Sequence, residues 1–122
     1  MSGSILIVDD HAAFRFAMRA VLDREGFEVV GEASDGETGI REARRLRPDI
    51  ALIDIQLPDI DGFAVAARLA EGGHAPVMIL ISTREASAYG GRVAAASVAG
   101  FLAKRSISGA AIRAVVERTQ EP

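Results

Sequence analysis

The stretch "IALIDIQLPDID", Ile50 to Asp61, decides how the rest of the chain is read. Ile50, Ala51, Leu52 and Ile53 form an unbroken apolar run, the pattern of a strand buried on both faces rather than one with a wet side. The run nevertheless ends on an ionisable residue, Asp54. A sheet covered on both faces needs helices between its strands, so this stretch predicts an α/β fold with a carboxylate at the end of a buried strand.

Four further apolar runs support that reading: Ile5–Val8, Phe27–Val30, Val77–Ile81 and a shorter one around Phe101–Ala103. Helical patterns separate them. Phe14, Ala17, Met18, Val21 and Leu22 recur at the spacing of one helix face, which Gly26 then stops. "DGETGIREARRLRP" predicts a second helix, with Ile40, Ala43 and Leu46 as its apolar stripe and Pro48 as its end. Phe63, Ala66, Ala67 and Ala70 mark a third, closed by Gly72-Gly73. Ile112, Val115 and Val116 mark the last, with Ser106 or Ser108 as N-cap. In the fourth, Gly90-Gly91 interrupts "EASAYGGRVAAASVAG", and each glycine costs about 1 kcal/mol relative to alanine. A short or kinked helix is expected there. Strict alternation with right-handed crossovers predicts one doubly wound (βα)5, flavodoxin-like domain over residues 1–122, with parallel strand order 2-1-3-4-5.

Composition narrows the function. The 122 residues are 49% hydrophobic and 25% charged, which fits one globular domain and excludes a disordered chain. There is no cysteine, so thiolate metal sites, thiol nucleophiles and disulfides are excluded. The start, "MSGSILIVDD", has no basic n-region and only a four-residue apolar run, so a cytoplasmic protein without membrane attachment is expected. A net charge of −3 with mixed signs gives no nucleic-acid footprint. The locally basic "REARRLRPD" puts Arg41, Arg44 and Arg45 outside the apolar stripe, on a solvated helix face. Of 14 basic residues a single one, Lys104, is lysine.

In the predicted strand order the winding direction reverses between strands one and three, where ligands of such sheets bind. Strand one runs into Asp9 and Asp10 and strand three into Asp54. Three like charges brought together call for a cation, and oxygen-only ligands suit Mg2+. Ser82-Thr83 ends strand four and Lys104 ends strand five on the same rim. A carboxylate, a hydroxyl, an ammonium and a divalent metal are the parts of phosphoryl transfer, with Asp54 itself able to become an aspartyl phosphate.

"ILIVDDH", "IDIQLPDIDG", "ILIST" and "GFLAK" together resemble the response-regulator receiver domain of two-component signalling over nearly the whole chain. "VDDHAAFR", "GEASDGETGI" and "LRPDIALIDIQLPDIDG" resemble the receivers of the LuxR/NarL-type subgroup, found before helix-turn-helix domains. The resemblance implies Asp54 as phosphoacceptor, Asp9 and Asp10 as magnesium ligands, and Gln56 as donor of a backbone carbonyl to the metal. It implies Ser82 as the switch hydroxyl, Lys104 as its phosphoryl-binding partner and Phe101 as the switch aromatic. Pro58 and Gly62 fit the loop after the acceptor. The implied partners are a sensor histidine kinase or phosphotransfer protein, and a homodimer mate or effector on a face of helix 4, strand 5 and helix 5. The implied activity is self-modification only, with no diffusible substrate. Arg105 stands where the family commonly has proline, and Thr83 where it has a small residue, which leaves Thr83 as a second candidate for the hydroxyl.

Plainer readings stand beside these. An isolated Asp after a strand is usually a turn or cap residue, and Asp9-Asp10 can cap helix one. His11 reads as a helix-start residue, His74 as loop, Tyr89 as core or interface, and Phe101 equally as packing. A degenerate, phosphorylation-independent interaction module is the main alternative. A haloacid-dehalogenase-like phosphatase would need a second Asp at position 56, which is Gln, and flavin binding lacks a phosphate loop after strand one. Whether the chain stands alone or belongs to a longer regulator is open.

Overall fold

The computed structural model describes residues 3–120. Its strands are β1 (Ser4–Val8), β2 (Glu28–Ala33), β3 (Ile50–Asp54), β4 (Val77–Ser82) and β5 (Gly100–Ala103). All neighbours pair in parallel, in the order β2-β1-β3-β4-β5. The helices between and after them are α1 (Ala12–Arg24), α2 (Gly36–Leu46), α3 (Gly62–Ala70), α4 (Arg92–Ala95) and α5 (Gly109–Thr119). The expected doubly wound topology is therefore present.

Successive strand side chains point to opposite faces, so each continuous apolar run feeds two cores. Ile5, Ile7, Ile50, Leu52, Ile79 and Ile81 pack with Met18 and Leu22 of α1 and Ile112 and Val115 of α5. Leu6, Val8, Ala51, Ile53, Met78 and Leu80 pack with Ile40 and Ala43 of α2 and Val65, Ala66 and Leu69 of α3. Burial of one such side chain is worth about 1.5–3 kcal/mol, which fixes strand register and the position of the rim where the strands end.

Two helix faces differ from the sequence reading. In α3 the buried face is Gly62, Val65, Ala66 and Leu69, while Ala67 and Ala70 are exposed. In α1, Met18 and Leu22 are buried and Ala17 is exposed. Alanine is apolar but small, and the neighbours Met18, Ala66 and Leu69 take the core side instead of Ala17, Ala67 and Ala70.

Three acids and a serine set the helix starts beside the rim. Asp35 accepts from Thr38 N, Asp61 from Ala64 N and Ser108 from Ala111 N. Of the two serines considered for α5, Ser108 is the cap. Asp59 reaches across to Gly36 N and Glu37 N at 2.7 and 2.9 Å, tying the β3–α3 loop to the start of α2. These N–H groups, Glu37's first, hold its carboxyl down at about 2. Pro48 follows Arg47, which ends α2 in the left-handed region at φ 48°. The fourth helical segment is split around Gly90-Gly91 into a 3-10 turn, Ala86–Tyr89, and the one-turn α4.

Gly62 sits where the chain passes closest to the site. A Cβ there would lie 2.4 Å from the carbonyl oxygen of Asp54. The glycine is required by this close approach, not by a left-handed turn.

Candidate functional site

Strands β1 and β3 deliver Asp9 and Asp54 to one point. Asp9 has no exposed surface and Asp54 only 2%. Both continue the alternation of the residues facing α1 and α5. Lys104, in the turn directly after β5, brings Nζ to 2.6 Å from Asp9 Oδ2 and 3.2 Å from Asp54 Oδ2. The Asp9 oxygen has no well-aligned hydrogen-bond donor, so its contact with the ammonium is a charge pair. Asp54 Oδ1 accepts from Gln56 N at 3.1 Å.

Burial, the largest influence, pushes the Asp54 carboxyl above the usual carboxylate range, and the Asp9 charge adds to it. The Gln56 N–H and Lys104 oppose that shift without cancelling it. For Lys104, burial works against the charge, but contact with Asp9 and the charge of Asp54 prevail and raise its pKa.

Asp10 and His11 complete the acidic edge. His11 Nδ1 lies 3.1 Å from both Asp9 Oδ1 and Asp10 Oδ1, and its backbone N–H donates to Asp9 at 2.8 Å. His11 is the N-cap position of α1, as its helix-start reading expects, while neither Asp caps the helix in the usual way. One ligand atom from each of Asp9, Asp10, His11 and Asp54 falls within 4.8 Å of the others. Three carboxylates face one ammonium, and one buried carboxylate oxygen lacks an aligned donor. Such an oxygen-rich, undercompensated set fits a hard divalent cation.

The remaining expected residues lie around this centre. Ser82 is fully buried at the end of β4, whereas Thr83 is exposed. Gln56 is exposed just beyond the acceptor strand. Phe101 is half-buried and packs against the α2–α3 core. Arg105 is exposed and pairs with Glu85. His74 lies with Arg44 and Arg47 in a shallow pocket at the opposite end of the sheet, away from the acids.

Three participants were not read as site residues from the sequence, where Tyr89 stood as core or interface and Phe14 as part of the apolar face of α1. Phe14 puts its ring 4.4 Å under Lys104 Nζ, a cation–π contact that seats the ammonium from below. Arg15 donates to the backbone carbonyl of Asp9 at 2.6 Å and pairs with Glu32, which also binds Arg19. Tyr89 shares a 2.6 Å hydrogen bond with Ser82 Oγ. Only Phe14 had a signal, its place at the first turn of α1 on the core face.

Residues 5–117 match the family model of the response regulator receiver domain. The chain belongs to that family. Among solved structures, the signal receiver domain of a response regulator named NarL from Mycobacterium tuberculosis superposes with a TM-score of 0.86 at 30% identity, covering 99% of this chain and 98% of that one. A LuxR-family two-component response regulator from Aurantimonas sp. gives 0.84 at 27% identity, over 98% of this chain and 85% of that one. In sequence, BvgA of Bordetella pertussis, named as a positive transcription regulator of virulence factors, is 39% identical over 85% of this chain and 50% of its own length. A protein of Pseudomonas aeruginosa named as a transcriptional regulator is 42% identical over 83% of this chain and 49% of its own. The receiver thus spans about half the length of the curated relatives it matches. It is a receiver of the two-component kind, and among its described residues no helix is long and apolar enough to cross a membrane.

Proposed function

We propose that this receiver, residues 1–122 as one domain, is phosphorylated on Asp54 by a cytoplasmic sensor histidine kinase or phosphotransfer protein. The observation that carries the reading is the convergence at the ends of β1, β3 and β5, where Lys104 Nζ lies 2.6 Å from Asp9 and 3.2 Å from Asp54. A solvated or purely structural acid has no use for such an arrangement, because burying unbalanced carboxylates costs stability.

Asp54 acts as the nucleophile. Its oxygen forms a bond to phosphorus as the bond from phosphorus to the donor imidazole breaks. Asp9, Asp10, Asp54 and the backbone carbonyl of Gln56 would hold magnesium, which neutralises the acids and the phosphoryl oxygens when bound. Lys104 exchanges its pairing with Asp54 for one with a phosphoryl oxygen, and Ser82 donates its hydroxyl to another. Phe101 follows on the half-buried side of β5. The response is then read by an effector or second receiver at the face formed by α4, β5 and α5. The domain catalyses its own modification and nothing else, and the buried acids with their lysine disfavour a phosphorylation-independent module.

Intact-mass spectrometry after incubation with acetyl phosphate tests this. One phosphoryl adduct is expected with magnesium, none without it and none in Asp54→Asn. An adduct of equal yield in that variant refutes the assignment.

A further inference from the structure

The hydroxyl assigned to the phosphoryl group is already engaged elsewhere. Ser82 Oγ lies 2.6 Å from the Tyr89 phenol and accepts from Arg84 N at 3.0 Å. Among the described residues no hydrogen bond joins it to Asp54. Strand alternation explains the direction: Ser82 continues the side of Met78 and Leu80, which faces α3, whereas Asp54 continues the side of Ile50 and Leu52, which faces α1 and α5. A serine hydroxyl has one proton and two lone pairs. Arg84 occupies one lone pair, and the bond to Tyr89 takes up either the other or the proton itself.

Tyr89 is in turn anchored to α3. Its ring meets Phe63 edge-on, with centroids 5.8 Å apart and planes at 68°. Arg92 lies 4.2 Å above the same Phe63 ring and pairs with Asp61, the N-cap of α3. Immediately after Tyr89 the backbone turns through Gly90 at φ +61°, and beyond the adjoining residues nothing lies within 4 Å of where a Cβ would stand at Gly90 or Gly91. The anchor is thus attached to a segment with room to move.

We infer that Tyr89 is a positioning residue for Ser82: its phenol holds the serine hydroxyl on the α3 side of the β4 end, and phosphorylation of Asp54 releases it. This rests on the phosphoacceptor reading above. A charged phosphoryl oxygen forms a hydrogen bond roughly twice as strong as one between neutral hydroxyls, so it wins the serine. Tyr89 then loses its buried partner. The cost of leaving that phenol unpaired drives its ring off Phe63 and towards water, and residues 86–95 move with it.

The chain carries one tyrosine and no tryptophan, so its emission reports on this single phenol. Tyrosine fluorescence would be followed during reaction with acetyl phosphate and magnesium, with intact mass read on the same samples. Emission should change in step with the adduct, stay constant in Asp54→Asn, and already stand at the phosphorylated level in unmodified Ser82→Ala. Tyr89→Phe keeps the ring on Phe63 and removes only the hydroxyl. With no phenol left to strand, phosphorylation of that variant should raise amide exchange over residues 84–95 far less than it does in wild type. Constant emission at full phosphorylation, or a rise in exchange on phosphorylation as large in Tyr89→Phe as in wild type, overturns the inference while leaving Asp54 as acceptor. If no adduct forms at all, the phosphoacceptor reading falls first and this one with it.

Discussion

The ends of β1 and β3 and the segment that follows β4 are built in opposite ways, although they meet at Ser82. All five residues of β3 are buried, and Asp9 and Asp54 are held by Lys104, by backbone N–H groups and by Arg15. From Thr83 to Gly100 no residue is buried, and the helical content is two single turns separated by two glycines. Chemistry that depends on the placement of charges to a few tenths of an ångström sits in the first region. The second has few contacts to lose, which is the property of a segment that changes conformation at small cost. A receiver needs both, and the sheet separates them by assigning β1 and β3 to one task and the β4 exit to the other.

Glycine substitutions sharpen this contrast most strongly. Gly62→Ala drives a Cβ against the Asp54 carbonyl, and overpacking of this kind costs about 1–3 kcal/mol. Thermal denaturation should show a Tm several degrees below wild type, with slower phosphorylation because the acceptor strand must shift. A Tm unchanged within error would mean that the rim is as yielding as the β4 exit.

Next in size is the pH dependence of Asp54→Asn. The folded pKa of Asp54 is raised, so its contribution to stability is present below the ordinary value of 3.8 and is lost as pH rises through the folded pKa. At neutral pH the ionised carboxylate therefore works against the fold. The asparagine variant should melt at a higher temperature than wild type at pH 7, and the gap should close as pH falls below the raised pKa. A gap independent of pH contradicts the view that buried charge, held for function, is what this rim costs.

The smallest effect belongs to the other region. Gly91 has φ −86° and open space around its Cβ position, so Gly91→Ala should change stability by no more than about 0.5 kcal/mol, in either direction. Measured beside Gly62→Ala, a large loss at position 91 would erase the distinction between the two regions.

Much of this was legible in the sequence for a physical reason. Strands buried on both faces read as continuous apolar runs, and a doubly wound sheet turns strand order into the location of a rim, so Asp9, Asp54 and Lys104 could be brought together, and Ser82 placed on the same rim, without coordinates, whereas the side of β4 that Ser82 faces could not. The faces of α1 and α3 were less legible, because alanines such as Ala17, Ala67 and Ala70 satisfy an apolar pattern on either side of a helix. Gly62 was noticed as a turn residue, but its closeness to the Asp54 carbonyl is a tertiary fact. The bond between Tyr89 and Ser82 had no sequence signal at all. It spans seven residues through a loop and a 3-10 turn, where neither the helical nor the strand period applies.

Borohydride reduction of the phosphorylated receiver, followed by peptide mass mapping, tests the central claim most directly, because it converts an aspartyl phosphate to homoserine where it stands. The account predicts homoserine at position 54 and unmodified aspartates at positions 9 and 10. Homoserine at position 9 or 10, with position 54 intact, would contradict it.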